Sequence, residues 1–140
     1  MLYSRFIYQT YFNMFTELEK YKKAEQSEEI TWFKAASVSA FPENGGACVK
    51  YKDLQIAVFN FTRRNEWYAC QNLCPHKMQM ALSRGMIGSC GEEPKVACPF
   101  HKMTFSLKNG NNLDGDECSI ITYPVKVEDG FVFIGFDQNY

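Results

Sequence analysis

The chain has 140 residues, with 15 Lys and Arg against 16 Asp and Glu, for a formal net charge of -1. That length fits one domain with an apolar core plus a tail, and the near-neutral charge leaves no basic field to recruit nucleic acid or another polyanion. Six cysteines at positions 48, 70, 74, 90, 98 and 118 are spaced too loosely for a disulfide-stapled secreted domain. No run has the character of a signal peptide or a membrane span. The expectation is a cytoplasmic chain without a membrane partner, in a reducing compartment that favours metal ligands over disulfides.

Residues 1–30 differ in texture from the rest. Tyr8, Tyr11, Phe12, Phe15, Leu18 and Tyr21 recur at three- and four-residue steps, with Glu17, Glu19, Lys20, Lys22 and Lys23 between them. This pattern suits an amphipathic helix of about 15 residues, followed by a hinge at AEQSEE. The segment is read as a helical or flexible extension that either packs on its own domain or serves as an arm for self-association or a partner. Met14 is a second possible start.

From Thr31 onward the period becomes two. Strands are expected at Trp32–Val38, Ala47–Tyr51, Leu54–Phe61, Trp67–Gln71, Lys95–Ala97, Met103–Leu107, Ile120–Val127 and Phe131–Phe136. The last two join through Glu128-Asp129-Gly130, where glycine supplies the positive φ of a tight hairpin turn. Residues 31–140 are therefore expected to form an all-β antiparallel sandwich or open barrel.

The only two histidines follow the only two Cys-Pro pairs: CPH at 74–76 and CPFH at 98–101, separated by 21 residues. Each half offers one thiolate and one imidazole from a loop that proline restrains. Together Cys74, His76, Cys98 and His101 make a donor set of two sulfurs and two nitrogens, which suits zinc or an iron-sulfur cluster. Zinc modules pair cysteines in one knuckle and histidines on a helix, whereas this chain mixes the types in each half. A two-iron cluster explains the mixture better, because its irons can differ in ligand type. A zinc-stabilised interaction module stays open as the alternative.

CPHKMQMALSRG, EPKVACPFHKMTFSL and the terminal ITYPVKVEDGFVFIGF closely resemble the Rieske-type small subunits of assimilatory NAD(P)H nitrite reductases, over about Trp32 to Phe136. The four-ligand pattern alone marks a Rieske-type protein; the long interval holding ALSRG and EPKVACP is similar to the nitrite reductase branch. The resemblance implies a two-loop cluster-binding subdomain at about 70–108 and a Rieske 2Fe-2S cluster, with Cys74 and Cys98 on one iron and His76 and His101 on the other. It also implies electron transfer within an enzyme whose large catalytic subunit carries flavin, sirohaem and an iron-sulfur cluster and reduces nitrite to ammonium. A free Rieske ferredoxin serving an oxygenase is the alternative within the same chemistry. No GxGxxG, GxSxG, HExxH or convincing acid/base pair occurs, so the chain is expected to lack a complete active site of its own.

High-potential Rieske proteins resemble this chain but carry an extra cysteine in each loop; here Lys77, Met78 and Gln79 follow His76, and Phe100 precedes His101. Phe105 stands where the resemblance places a tyrosine hydroxyl, so a low potential for the family is expected. Cys48, Cys70 and Cys118 read as small buried hydrophobes and Cys90 as exposed. Lys77, Arg84, Lys95 and Lys102, interleaved with Met78, Met80, Met86 and Met103, form either a solvated loop surface or a docking face.

Overall fold

A computed structural model describes residues 16–100 and 102–140. A helix, α1, covers residues 16–24. Twelve strands follow: β1 (Ile30–Ser37), β2 (Gly45–Tyr51), β3 (Leu54–Phe61), β4 (Glu66–Gln71), β5 (Leu73–Cys74), β6 (Gln79–Met80), β7 (Met86–Cys90), β8 (Glu93–Ala97), β9 (Thr104–Ser106), β10 (Thr122–Tyr123), β11 (Val125–Glu128) and β12 (Phe131–Asp137). All named pairings are antiparallel, which bears out the all-β expectation. The sheet orders are β1-β12-β11, β10-β4-β3-β2, β5-β6 and β7-β8-β9.

The organising strand is β3, whose sequence LQIAVFNF reads as a nearly continuous apolar run. Successive side chains on a strand point to opposite faces, so such a run must be covered on both sides. Leu54, Ile56 and Val58 enter one core with Val132, Ile134 and Phe136 of β12. Ala57, Phe59 and Phe61 enter a second core with Val96 of β8, Phe105 of β9, and Cys70, Cys74 and Cys98. Phe59 and Phe105 are fully buried there, and each contributes roughly 1.5–3 kcal/mol of transfer free energy. The first core holds the sandwich together; the second fastens the two Cys-Pro loops to it.

Asp129 and Gly130 both have positive φ, at 52° and 81°, and connect β11 to β12 as the Asp-Gly signal predicts. The run Ile120–Val127 is not one strand. Proline at 124 lacks the N–H that a ladder requires, and the chain divides there: β10 pairs with β4, while β11 pairs with β12. β7 was not expected; MIGSC has little alternation of burial and is a strand because β8 pairs with it from Met86↔Ala97 to Cys90↔Glu93. Cys48 is a correction as well. It is exposed, whereas Cys70 is buried, Cys90 exposed and Cys118 intermediate. β2 is the edge strand of its sheet, and the Cys48 sulfur lies 3.7 Å from the side-chain amides of Gln55 and Asn72.

Helix α1 packs on the domain through Tyr21 and Ala24, both buried in the first core. Lys20 adds a 3.3 Å ion pair with Asp53 in the β2–β3 turn. The possible start at Met14 and most of the suggested self-association arm fall on residues 1–15, outside the described residues. No helix among the described residues is long and apolar enough to cross a membrane.

Candidate metal centre

Cys74 ends β5, and its loop returns through β6 in the register Leu73↔Met80 and Cys74↔Gln79. A short 3-10 helix, Leu82–Arg84, then leads into β7. Cys98 follows β8. Its loop returns to β9 through two backbone hydrogen bonds: Cys98 N donates to Met103 O at 2.8 Å, and Lys102 N donates to Cys98 O at 2.9 Å. Met78 and Lys102 have positive φ, at 52° and 55°, so each tight reversal is built from an ordinary residue held by its surroundings.

The two thiols lie inside and the described imidazole lies outside. Cys74 is 0% and Cys98 1% exposed, while His76 is exposed. His101 lies outside the described residues. The Cys74 sulfur is within hydrogen-bonding reach of Cys98 and of the backbone N–H groups of His76 and Lys77. Burial pushes the Cys74 thiol up to about 11; the two N–H groups oppose that rise and the neighbouring Cys98 adds to it. Any metal bound there must displace the proton.

This donor set fits a two-iron cluster. The protein supplies only two ligands to each iron of a Rieske centre, and the structure buries the Cys74 and Cys98 thiols beside each other in the second core. Among the described residues, no three His, Cys, Asp or Glu side chains converge to hold one metal ion.

The remaining cysteines stay apart from this pair. Cys70 is fully buried in the second core, where desolvation raises its thiol pKa. Cys118 lies 3.4 Å from the Met103 sulfur, and burial, followed by the charge of Asp116, raises its pKa. All six cysteines are free thiols, so no disulfide clips the loops together. A ring contact spans them instead, with the Arg84 guanidinium 5.6 Å from the Phe100 ring centroid.

The methionines correct the surface reading. Met78 and Met80 pack on the first core and Met103 on the second; only Met86, 79% exposed, stands clear. Unbranched thioethers fill irregular gaps beneath loops. Phe100 is 52% exposed beside the Arg84 guanidinium, and Lys77, Arg84 and Lys102 are exposed as well.

Two residues that the motif reading passed over close the first loop. Gln71 and Asn72, both buried, bind backbone on either side of it. Gln71 Nε2 donates to Leu73 O at 2.7 Å, and Asn72 Oδ1 accepts from Ser83 N at 2.7 Å. The available signal was a polar pair placed between two apolar strands, where a surface turn was equally compatible.

Comparison with known proteins agrees with the geometry. The family model for a Rieske-like 2Fe-2S domain matches residues 31–135. The nitrite reductase (NADH) small subunit of Escherichia coli K12 is 33% identical over 91 residues, covering 65% of this chain and 83% of that protein. The nitrite reductase [NAD(P)H] large subunit of Klebsiella oxytoca is 36% identical over 107 residues, and this chain spans only 11% of its length. Among solved structures, the E. coli protein NirD superposes with a TM-score of 0.69 at 27% identity, covering 76% of this chain and 97% of that one. The chain belongs to the Rieske-like 2Fe-2S domain family and, within it, to the small subunits of nitrite reductase.

Proposed function

We propose that this chain is the electron-transfer small subunit of an NAD(P)H-dependent nitrite reductase that converts nitrite to ammonium. Cys74 and Cys98 hold one iron of a Rieske 2Fe-2S cluster, and His76 and His101 hold the other. Residues 31–140 form the cluster domain, residues 1–30 form its N-terminal extension, and the assembly is cytoplasmic. The partner is a large catalytic subunit carrying flavin, sirohaem and an iron-sulfur cluster. When bound, the cluster supplies one-electron transfer.

The observation that carries this reading is the buried, adjacent Cys74 and Cys98 pair with His76 exposed at the loop tip. The second core excludes water from the thiol side, and the exposed side leaves an edge that a partner can approach. To test the function, the chain is added to the isolated large subunit under anaerobic conditions and nitrite-dependent NAD(P)H oxidation is followed. Restored turnover is expected with this chain and not with a Cys74→Ser variant. Efficient reduction of an oxygenase with no effect on nitrite turnover would favour the ferredoxin reading.

The β9 side chains set an expectation for the potential. Phe105 is fully buried beside the cysteines and brings no hydroxyl. The Ser106 hydroxyl donates to the Glu93 carboxylate, and the Thr104 hydroxyl donates to Lys102 O at 3.3 Å. Hydrogen bonds to sulfur stabilise the more negative reduced state and raise the potential. A midpoint near the low end of the Rieske span of roughly -150 to +300 mV is expected. Phe105→Tyr, by adding one donor worth roughly 1 kcal/mol, is expected to raise it by about 40 mV in a spectroelectrochemical titration. A wild-type midpoint near the top of the span would contradict this account.

A further inference from the structure

Helix α1 precedes the segment matched by the family model, yet it reaches the loop that carries Cys74 and His76. Tyr21 is fully buried. Its hydroxyl donates to Gln55 O at 3.0 Å and lies 3.5 Å from the Met80 sulfur. Its own carbonyl accepts the Tyr123 hydroxyl at 2.8 Å, which ties the helix to β10. Met80 sits directly across the β5–β6 hairpin from Leu73, next to Cys74. Tyr21 therefore bears on the return strand of the ligand hairpin.

Gln55, which receives Tyr21, also anchors the base of the same loop. Asn72 donates through its backbone N–H to Gln55 O at 2.9 Å and through Nδ2 to Gln55 Oε1 at 3.0 Å. The Asn72 carbonyl accepts from Ala81 N and Leu82 N, both at 3.0 Å. The loop is thus closed at its base by Asn72 and held on its return strand by Tyr21, and both fix to one residue of β3. A buried hydroxyl in such a place limits the opening of the segment it contacts.

We propose that Tyr21 is a positioning residue for the cluster site, and that the N-terminal helix serves to hold the Cys74–His76 loop in its ligand-binding form. This rests on the reading of Cys74 and His76 as ligands. A helix that only added bulk stability would act on the whole domain; one that clasps the loop acts there first.

The test uses the full chain and its Tyr21→Phe variant, which keeps the ring and removes the hydroxyl. Amide hydrogen exchange is measured without the cluster. Exchange at residues 73–82 is expected to quicken by about three- to tenfold, the factor one ordinary hydrogen bond supports, with no change in the β7–β8 hairpin. Lys20→Ala, which removes an ion pair of the same helix without touching the loop, is expected to leave loop exchange unchanged. In the loaded protein, Tyr21→Phe is expected to speed stripping by an iron chelator and shift the g-values of the reduced EPR spectrum.

Folded Tyr21→Phe with wild-type loop exchange would overturn the proposal. Equal acceleration of the loop and the β7–β8 hairpin would also overturn it. Should Tyr21→Phe fail to fold, Met80→Leu decides: faster loop exchange supports the clasp, and unchanged exchange overturns it. A wild-type chain that takes up no cluster overturns the ligand reading, while the exchange result still decides whether Tyr21 holds the loop.

Discussion

Replacing Cys98 by serine is expected to lower iron from roughly two per chain to near zero while the sheets remain folded. Cys98 is the buried cysteine of the second loop and its proposed iron ligand, and that loop is closed by backbone hydrogen bonds from Cys98 to Met103 and from Lys102 to Cys98 that do not involve sulfur. Serine preserves those bonds and the size of the side chain, but a hydroxyl is a poor replacement for a soft thiolate at iron. The control is Cys70→Ala, because Cys70 is equally buried in the same core only four residues before Cys74. It is expected to cost some stability through the small cavity and to keep its iron. Iron analysis beside far-ultraviolet circular dichroism checks both variants. Wild-type iron content in Cys98→Ser would remove that residue from the ligand set.

Gly85→Ala is expected to destabilise the chain by about 1–3 kcal/mol, the usual range for forced overpacking, and to shorten cluster lifetime. Gly85 follows the short Leu82–Arg84 helix after the Cys74 loop and has an ordinary extended conformation, with φ of -72° and ψ of 162°, so backbone strain is not the reason. Space is. A methyl group there would lie 2.5 Å from Ala97 O, 2.7 Å from the Val96 Cγ2 methyl and 3.0 Å from Leu82 O. Ala97 immediately precedes Cys98, so the methyl would drive a wedge between the segments that present the two cysteines.

Gly88→Ala tests that logic on the same strand path, because its methyl would meet only the flexible Lys95 Cε at 3.6 Å. Its effect is expected to stay within about 0.5 kcal/mol. Urea unfolding of the cluster-free proteins separates the two variants, and a chelator challenge of the loaded proteins reads the cluster. Gly85→Ala with wild-type stability and wild-type iron retention would show that the close approach is not required.

Sequence and structure agree where a local rule is strong. β2 and β3 were readable because Lys52-Asp53 separates two β-rich runs, and β11–β12 was readable because Asp-Gly demands its turn. The Cys-Pro pairs marked the two loops, and Cys74 and Cys98 do meet. What stayed hidden depends on contacts distant in the chain. β7 is defined by its partner β8; Pro124 divides a run whose composition reads as continuous; Cys48 is exposed because β2 lies at an edge.

The methionines illustrate the same limit. Met78, Met80 and Met103 lie among polar residues, with Lys77 and Lys102 beside them, which suggests a surface, but these side chains pack against the two cores. Tyr21 was legible as part of an amphipathic stripe, whereas its contacts with Gln55 and Met80 arise only when helix α1 docks. Buried Gln71 and Asn72 are the hardest case. The Gln71 amide is satisfied by backbone of Leu73 and Ile121, and the Asn72 amide by Ser83 N and the Gln55 side chain, partners that no local pattern identifies.

Metal, sulfide and EPR analysis of the anaerobically purified 140-residue chain tests most directly whether the two loops assemble one Rieske centre. About two irons and two acid-labile sulfides per chain, with a red-brown colour and a rhombic signal after reduction, are expected. Colourless protein holding about one zinc and no sulfide would contradict the account.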